Sequence, residues 1–107
     1  MELVAKVAVD RAVYRFDQPF DYRIPASLRD AAKPGCRVLV PFGKGGQRQG
    51  VLLAVGEPED GTLSLKSLVQ VLDPQPLLSE EMIRLVYWLK ERYFCTLFEA
   101  VELLLPG

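Results

Sequence analysis

Apolar and polar residues alternate with a period of two through the first two thirds of this 107-residue chain, and the pattern stops at Asp73-Pro74-Gln75-Pro76. That period places one face of an extended strand inward and the other outward, which a helix cannot do. Leu3, Ala5, Val7 and Val9 alternate with Lys6, Ala8 and Asp10. Phe20, Tyr22 and Ile24 alternate with Asp21 and Arg23 up to Pro25, and Cys36, Val38 and Val40 with Arg37 and Leu39. Arg48 to Val55 predicts a fourth strand with Val51, Leu53 and Val55 on one face. Leu68 to Leu72 predicts a short last one.

The connections carry their own signals. Arg11 to Gln18 is polar and irregular, Ser27 to Lys33 allows one helical turn, and Pro34-Gly35 marks a turn. Pro41 predicts a strand end or an edge position, because proline donates nothing to a ladder. Gly43-Lys44-Gly45-Gly46-Gln47 predicts a hairpin loop, and Gly56 to Ser64 an acidic turn. Beyond Pro76 the period becomes helical. Ser79 is placed to cap a helix whose first turn holds Glu80 and Glu81, where the helix dipole favours acids. Met82, Val86, Leu89 and Tyr93 recur at helical spacing as its expected core face. Thr96-Leu97-Phe98-Glu99 has the form of a capping box and starts a second helix that Pro106-Gly107 ends. Phe94, Phe98 and Leu103-Leu104-Leu105 are expected in the core. The expected fold is α+β: a small antiparallel sheet or OB-like barrel of about five to six strands, followed by two C-terminal helices. It is read as one domain over residues 1–107, with a β part at 1–73 and a helical part at 77–105.

Composition narrows the function. Half the residues are hydrophobic, enough for a real core in one domain. No apolar run reaches the length of a membrane span, and Met1-Glu2-Leu3 lacks the layout of a signal peptide, so a cytoplasmic protein is expected. The chain has no histidine, which removes the commonest general base and zinc ligand. Cys36 and Cys95 lack metal-type spacing and read as free buried thiols in a reducing cytosol, pairing only if the fold brings them together. The net charge of −1 argues against coating nucleic acid by charge alone. Its distribution is dipolar: residues 1–50 hold nine Lys/Arg against five Asp/Glu, and residues 51–107 four against nine.

Two stretches concentrate unusual chemistry, Pro19-Phe20-Asp21-Tyr22-Arg23-Ile24-Pro25 and Val38-Leu39-Val40-Pro41-Phe42-Gly43-Lys44. Gly43-Lys44-Gly45-Gly46 invites comparison with a phosphate loop, but that motif needs G-x-x-x-x-G-K-[ST] before a helix, and here Gln47 and a strand follow. A hairpin loop is the plainer reading; backbone contact to a nucleic-acid phosphate is the alternative. Asp21, alternating with Phe20 and Tyr22, points away from their face, either as an exposed strand residue or as an acceptor beside an aromatic wall that stacks a base. Asp17 reads as a turn residue, and Glu57, Glu59 and Asp60 as a solvated acidic turn. Trp88 falls on the charged side of its helix with Glu80, Arg84 and Glu91, where either the second helix or another domain covers it; an interdomain contact is preferred.

Several of these stretches fall in a known order. Val4 to Val9, Pro-Phe-Asp-Tyr-x-Ile-Pro (Pro19 to Pro25) and Pro-Gly-Cys-Arg-Val-x-Val-Pro-Phe-Gly-Lys (Pro34 to Lys44) come first. Arg48-x-Gly50-Val51, Leu65-Lys66-x-Leu68, Val71-Leu72-Asp73 with Pro76, and the Tyr93 helix leading to Leu104-Leu105-Pro106 follow. In this set the chain resembles the N-terminal domain of the primosomal protein N′ (PriA) family of bacterial replication-restart helicases. The resemblance spans nearly the whole chain; the loop from Gly43 to Gln47 departs from it in being richer in glycine.

The resemblance implies a domain that binds the 3′ end of a nascent DNA strand at a stalled or branched fork and targets a parent helicase for primosome assembly. By motif, the implied 3′-end site is Phe20, Asp21, Tyr22, Gly43 and Lys66; the neighbouring Lys44 is, by type and position, an extra phosphate contact. The implied partners are DNA, other domains of the same helicase, primosome proteins and single-stranded-DNA-binding protein, with no membrane. The implied parent is an ATP-dependent helicase using ATP, magnesium and zinc, whereas this domain is expected to be no enzyme and to need no cofactor. Two rival readings stay open: a single-strand-binding barrel indifferent to ends, and a protein-interaction scaffold using Trp88 and the acidic half.

Overall fold

Leu3–Val9 forms strand β1, flanked by β2 (Phe20–Ile24) on one side and by the central strand β4 (Gly46–Gly56) on the other. Strands β3 (Arg37–Phe42) and β5 (Gln70–Val71) extend the sheet in the order β2-β1-β4-β3-β5, with every pairing antiparallel. Helices α1 (Glu80–Tyr93) and α2 (Leu97–Leu104) follow, so the chain is α+β as expected. The computed structural model describes residues 3–10, 19–58, 65–93 and 95–105. Expectations for Arg11 to Gln18, for Glu59 to Ser64, for Phe94 and for Pro106-Gly107 lie outside the described residues.

The sheet is rolled. Arg23 on β2 bridges Ser67 in parallel, donating its amide to the Lys66 carbonyl at 2.9 Å and accepting from the Leu68 amide at 2.9 Å. Two residues on, the Val69 amide donates to Leu39 of β3 at 2.9 Å. One segment therefore touches both flanks of the sheet and brings it towards a barrel, occupying ladder groups that an open edge would expose. Val7, Val9, Tyr22, Ile24, Val38, Val40, Leu52 and Leu68 fill its interior.

A second core lies on the outer face of β1 and β4, where Ala8, Val51 and Leu53 meet Leu78, Ile83, Val86, Leu97, Phe98 and Val101. One irregularity feeds both cores. Lys6 pairs with Ala54 and Val7 with Leu52, so Leu53 is the extra residue of a bulge. The bulge separates the face that the sequence pattern assigned to Val51, Leu53 and Val55. Val51 and Leu53 face the helices, while Val55 packs on the barrel side.

Helix starts follow the sequence closely. Ser79 Oγ accepts from the Met82 amide at 3.2 Å, and the Thr96–Glu99 capping box is complete, with bonds of 3.0 and 2.8 Å. The helix faces do not. α2 lies against β1 and β4, and α1 packs mainly on α2 as an outer element, so only a narrow stripe of α1 is covered. That stripe runs through Ile83 and Val86 to Leu89, leaving Met82 and Tyr93 exposed instead of buried. Leu103 is likewise 67% exposed, and of that run only Leu104 and Leu105 pack partly against the core. Trp88 is not covered by α2; its ring meets Tyr93 edge-on at 6.3 Å and Arg92 at 5.5 Å.

Candidate functional site

The alternation of β2 decides what each of its residues presents. Tyr22 and Ile24 point into the barrel, and Phe20, at the start of the strand, stands half-buried at its mouth. Tyr22 is only 5% exposed, and burial pushes its hydroxyl up from the ordinary tyrosine range. That hydroxyl donates to the Pro41 carbonyl at 2.9 Å, tying β2 to the end of β3. Pro41 belongs there because it lies beyond the last pairing of β3 with β5, Leu39 with Gln70, so no ladder bond is lost.

The β3–β4 hairpin then turns through Gly43, Lys44 and Gly45 between the paired Phe42 and Gly46. Gly43 sits at φ +69°, a left-handed conformation that costs glycine least, and a side chain there would meet nothing within 4 Å. Turn geometry explains the glycine, and its open side faces free space.

These pieces meet the Leu65–Lys66 segment around one cleft with a cavity volume of about 210 Å³. All five residues implied by the resemblance, Phe20, Asp21, Tyr22, Gly43 and Lys66, line it. Lys44 does not; it stands exposed at the hairpin tip. Because Tyr22 is enclosed, the aromatic surface of the cleft belongs to Phe20 and to Phe42, whose rings meet edge-to-face at 5.1 Å. Phe42, Pro41 and Leu65 also line the cleft, though the sequence did not assign them to the site. The available signal for Phe42 was its in-facing register two positions after Val40, next to the hairpin glycine. The Arg48 guanidinium lies 4.7 Å from the centre of the Phe42 ring, extending the row of flat groups from Phe20 across the barrel mouth.

Asp21 has a different setting. It pairs with Lys6 across β1 and β2, and its Oδ1 accepts from Lys6 Nζ at 3.0 Å. The pair lies on the outward face of the strands, in a second cavity of about 250 Å³ that Val4, Ala54, Val55, Gly56 and Glu57 complete. Asp21 thus borders both cavities. The first offers aromatic faces, an open turn and the exposed ammonium of Lys66; these are the groups of a surface that holds a flat, anionic ligand.

The match to known proteins covers the same ground. A family model described as 3′DNA-binding domain (3′BD), that of PriA, matches residues 6–106. The replication restart protein PriA of Bacillus subtilis is 39% identical over 104 residues, covering 96% of this chain and 13% of that protein. The probable replication restart protein PriA of Mycobacterium tuberculosis is 36% identical over 96 residues, covering 90% of this chain and 14% of its own length. The PriA of Chlamydia trachomatis is 28% identical over 112 residues, with 97% and 14% covered. The chain therefore spans about one-seventh of the length of these relatives, and nearly all of it falls within the matched region. By the family model and by these identities, the chain belongs to the 3′DNA-binding domain family of the replication restart protein PriA.

Proposed function

We propose that this domain binds the 3′ end of a DNA strand, with the terminal nucleotide in the cleft between Phe20, Gly43 and Lys66. The observation that carries the reading is that residues as far apart in sequence as Phe20 and Lys66 line one cavity, in a chain whose family is a 3′DNA-binding domain. The terminal base lies against Phe20 and Phe42, Gly43 leaves room for the backbone to approach, and Lys66 offsets phosphate charge. Asp21, on the cleft wall, accepts a hydrogen bond from the terminal nucleotide. Lys44 at the hairpin tip is in reach of a phosphate further along the strand.

Recognition of this kind requires no nucleophile or metal in the domain. In a PriA-like parent it would direct a helicase to stalled forks for primosome assembly, with ATP, magnesium and zinc handled by other segments. Primosome proteins and single-stranded-DNA-binding protein would be the parent's partners. Residues 1–107 would act as one unit at the N-terminal end of that parent, the β part at 1–73 holding the DNA end and the helical part at 77–105 backing it.

The test compares short single strands ending in a 3′-hydroxyl or a 3′-phosphate, with a circular single strand as the end-free control, by fluorescence anisotropy. A 3′-phosphate beside Asp21 adds repulsion of about 1 kcal/mol, the water-like limit, since Lys6 offsets part of the carboxylate charge. Asp21→Ala is expected to weaken binding of the 3′-hydroxyl strand and to leave the 3′-phosphate strand bound no more weakly, since the mutation also removes that repulsion. Equal loss for both strands, or a circle bound as tightly as a linear strand, would overturn end recognition. No DNA affinity at low salt would favour a scaffold instead.

A further inference from the structure

We infer that Lys6 is a positioning residue for end recognition: its ion pair fixes the Asp21 carboxylate at the wall shared by the two cavities. This rests on the 3′-end reading of Asp21 given above.

Lys6 and Asp21 stand directly opposite each other on adjacent antiparallel strands, so their Cβ atoms are held close by the backbone itself. Lys6 Nζ donates to Asp21 Oδ1 at 3.0 Å, with the two side chains 45% and 33% exposed. A pair this exposed adds little to folding stability. Its consequence is local: a short carboxylate that otherwise samples three staggered χ1 wells is biased to one. The rest of the outer cavity argues against Lys6 as a phosphate contact. Asp21 and Glu57 line the same cavity, which makes its formal charge negative around the single ammonium. Phosphate would be repelled there, whereas the carboxylate of Asp21 is held. The bond that Asp21 Oδ1 accepts from Lys6 occupies only part of the acceptor capacity of that carboxylate, which has two oxygens and roughly four lone-pair sites.

If the bound strand requires one of three wells, releasing Asp21 lowers the competent fraction, and hence the affinity, by about threefold. The experiment is a double-mutant cycle on the 107-residue chain, using a single strand with a free 3′-hydroxyl. Kd is measured for the wild type, Lys6→Met, Asp21→Ala and the double variant, at low and at high salt. Lys6→Met is expected to weaken binding about threefold in the wild-type background. At high salt, where general charge effects are screened, it is expected to change nothing once Asp21 is alanine. Lys6→Arg, which also donates to a carboxylate, is expected to restore the wild-type Kd. The melting temperature of Lys6→Met is expected to stay near that of the wild type, which separates positioning from a folding defect. Equal loss from Lys6→Met in both backgrounds, while Asp21→Ala itself weakens binding, would overturn the positioning role alone. Asp21→Ala binding as tightly as the wild type would instead overturn the Asp21 reading and the role of Lys6 with it.

Discussion

Replacing Asp73 by asparagine tests how the end of the barrel is fastened. Asp73 is 6% exposed and accepts from the Arg37 main-chain amide at 2.7 Å, from Arg37 Nε at 3.1 Å and from Arg37 Nη2 at 2.7 Å. The guanidinium and amide of Arg37 hold the Asp73 carboxyl below the ordinary carboxylate range, and Asp73 in turn raises Arg37. Asparagine keeps one acceptor oxygen and turns an amide NH2 towards a donor, so at least one charge-assisted bond is lost from a buried position. Such bonds contribute about 1.5–3 kcal/mol. Because the Arg37 side chain is 39% exposed and water replaces part of what it loses, we expect about 2 kcal/mol. For a domain near 100 residues that is a fall in Tm of about 8 °C. The pH dependence adds a second signature. Since folding depresses the Asp73 pKa, the unfolded chain binds a proton that the folded chain does not, over the window between the two values. The stability from this group is therefore complete above the unfolded value of about 3.9 and drains away as pH falls below it. Urea unfolding of the wild type and Asp73→Asn between neutral pH and pH 3 should show a constant gap that closes only under about pH 4. A gap below about 0.5 kcal/mol at neutral pH, or one that persists unchanged into acid, would refute the assignment.

Two further substitutions separate the cleft from the scaffold. Phe42→Ala removes the half-buried ring between Phe20 and Arg48 and should weaken single-strand binding by about 1–3 kcal/mol, read as Kd by anisotropy. Thr96→Ala opens the capping box of α2 and should lower stability by about 1 kcal/mol in urea unfolding, with the Kd for DNA unchanged.

What the sequence made legible follows from the range of the forces involved. Strands β1 to β3 and both helix starts rest on neighbours within a few residues, and the alternation and the caps reported them faithfully. The Leu53 bulge is a relation between β1 and β4, and nothing in Arg48 to Val55 alone announces that Val55 will face away from Leu53. The buried stripe of α1 was misplaced for a similar reason. Periodicity gives a helix an apolar side, but the layer it packs on selects which line of that side is covered, and here α2 selects Ile83 over Met82. Asp73 read as the first residue of a boundary turn because its partner, Arg37, lies 36 residues earlier. Within the cleft, Phe20 and Asp21 stood out by their own pattern, whereas Lys66 came only from the ordered resemblance. Phe42 offered only its in-facing register beside the hairpin glycine, and Leu65 joins the wall through contacts that no local window contains.

The same separation of ranges explains how the domain divides its labour. Every lining residue of the cleft comes from one end of the barrel, where the start of β2, the β3–β4 hairpin and the Leu65–Lys66 segment meet. The helices cover the outer face of β1 and β4, and none of their residues lines that cleft. Tyr22 links the two functions: its ring belongs to the barrel core, and its hydroxyl fixes the Pro41 carbonyl at the cleft floor. A substitution there should move stability and binding together, whereas Thr96→Ala should move only the first. A change confined to Lys66, exposed and held in the roll by its backbone carbonyl alone, should move only the second. The DNA end would then meet the exposed Lys66 beside the rings of Phe20 and Phe42, which also pack against the barrel core, on a backbone that the rolled sheet keeps in place.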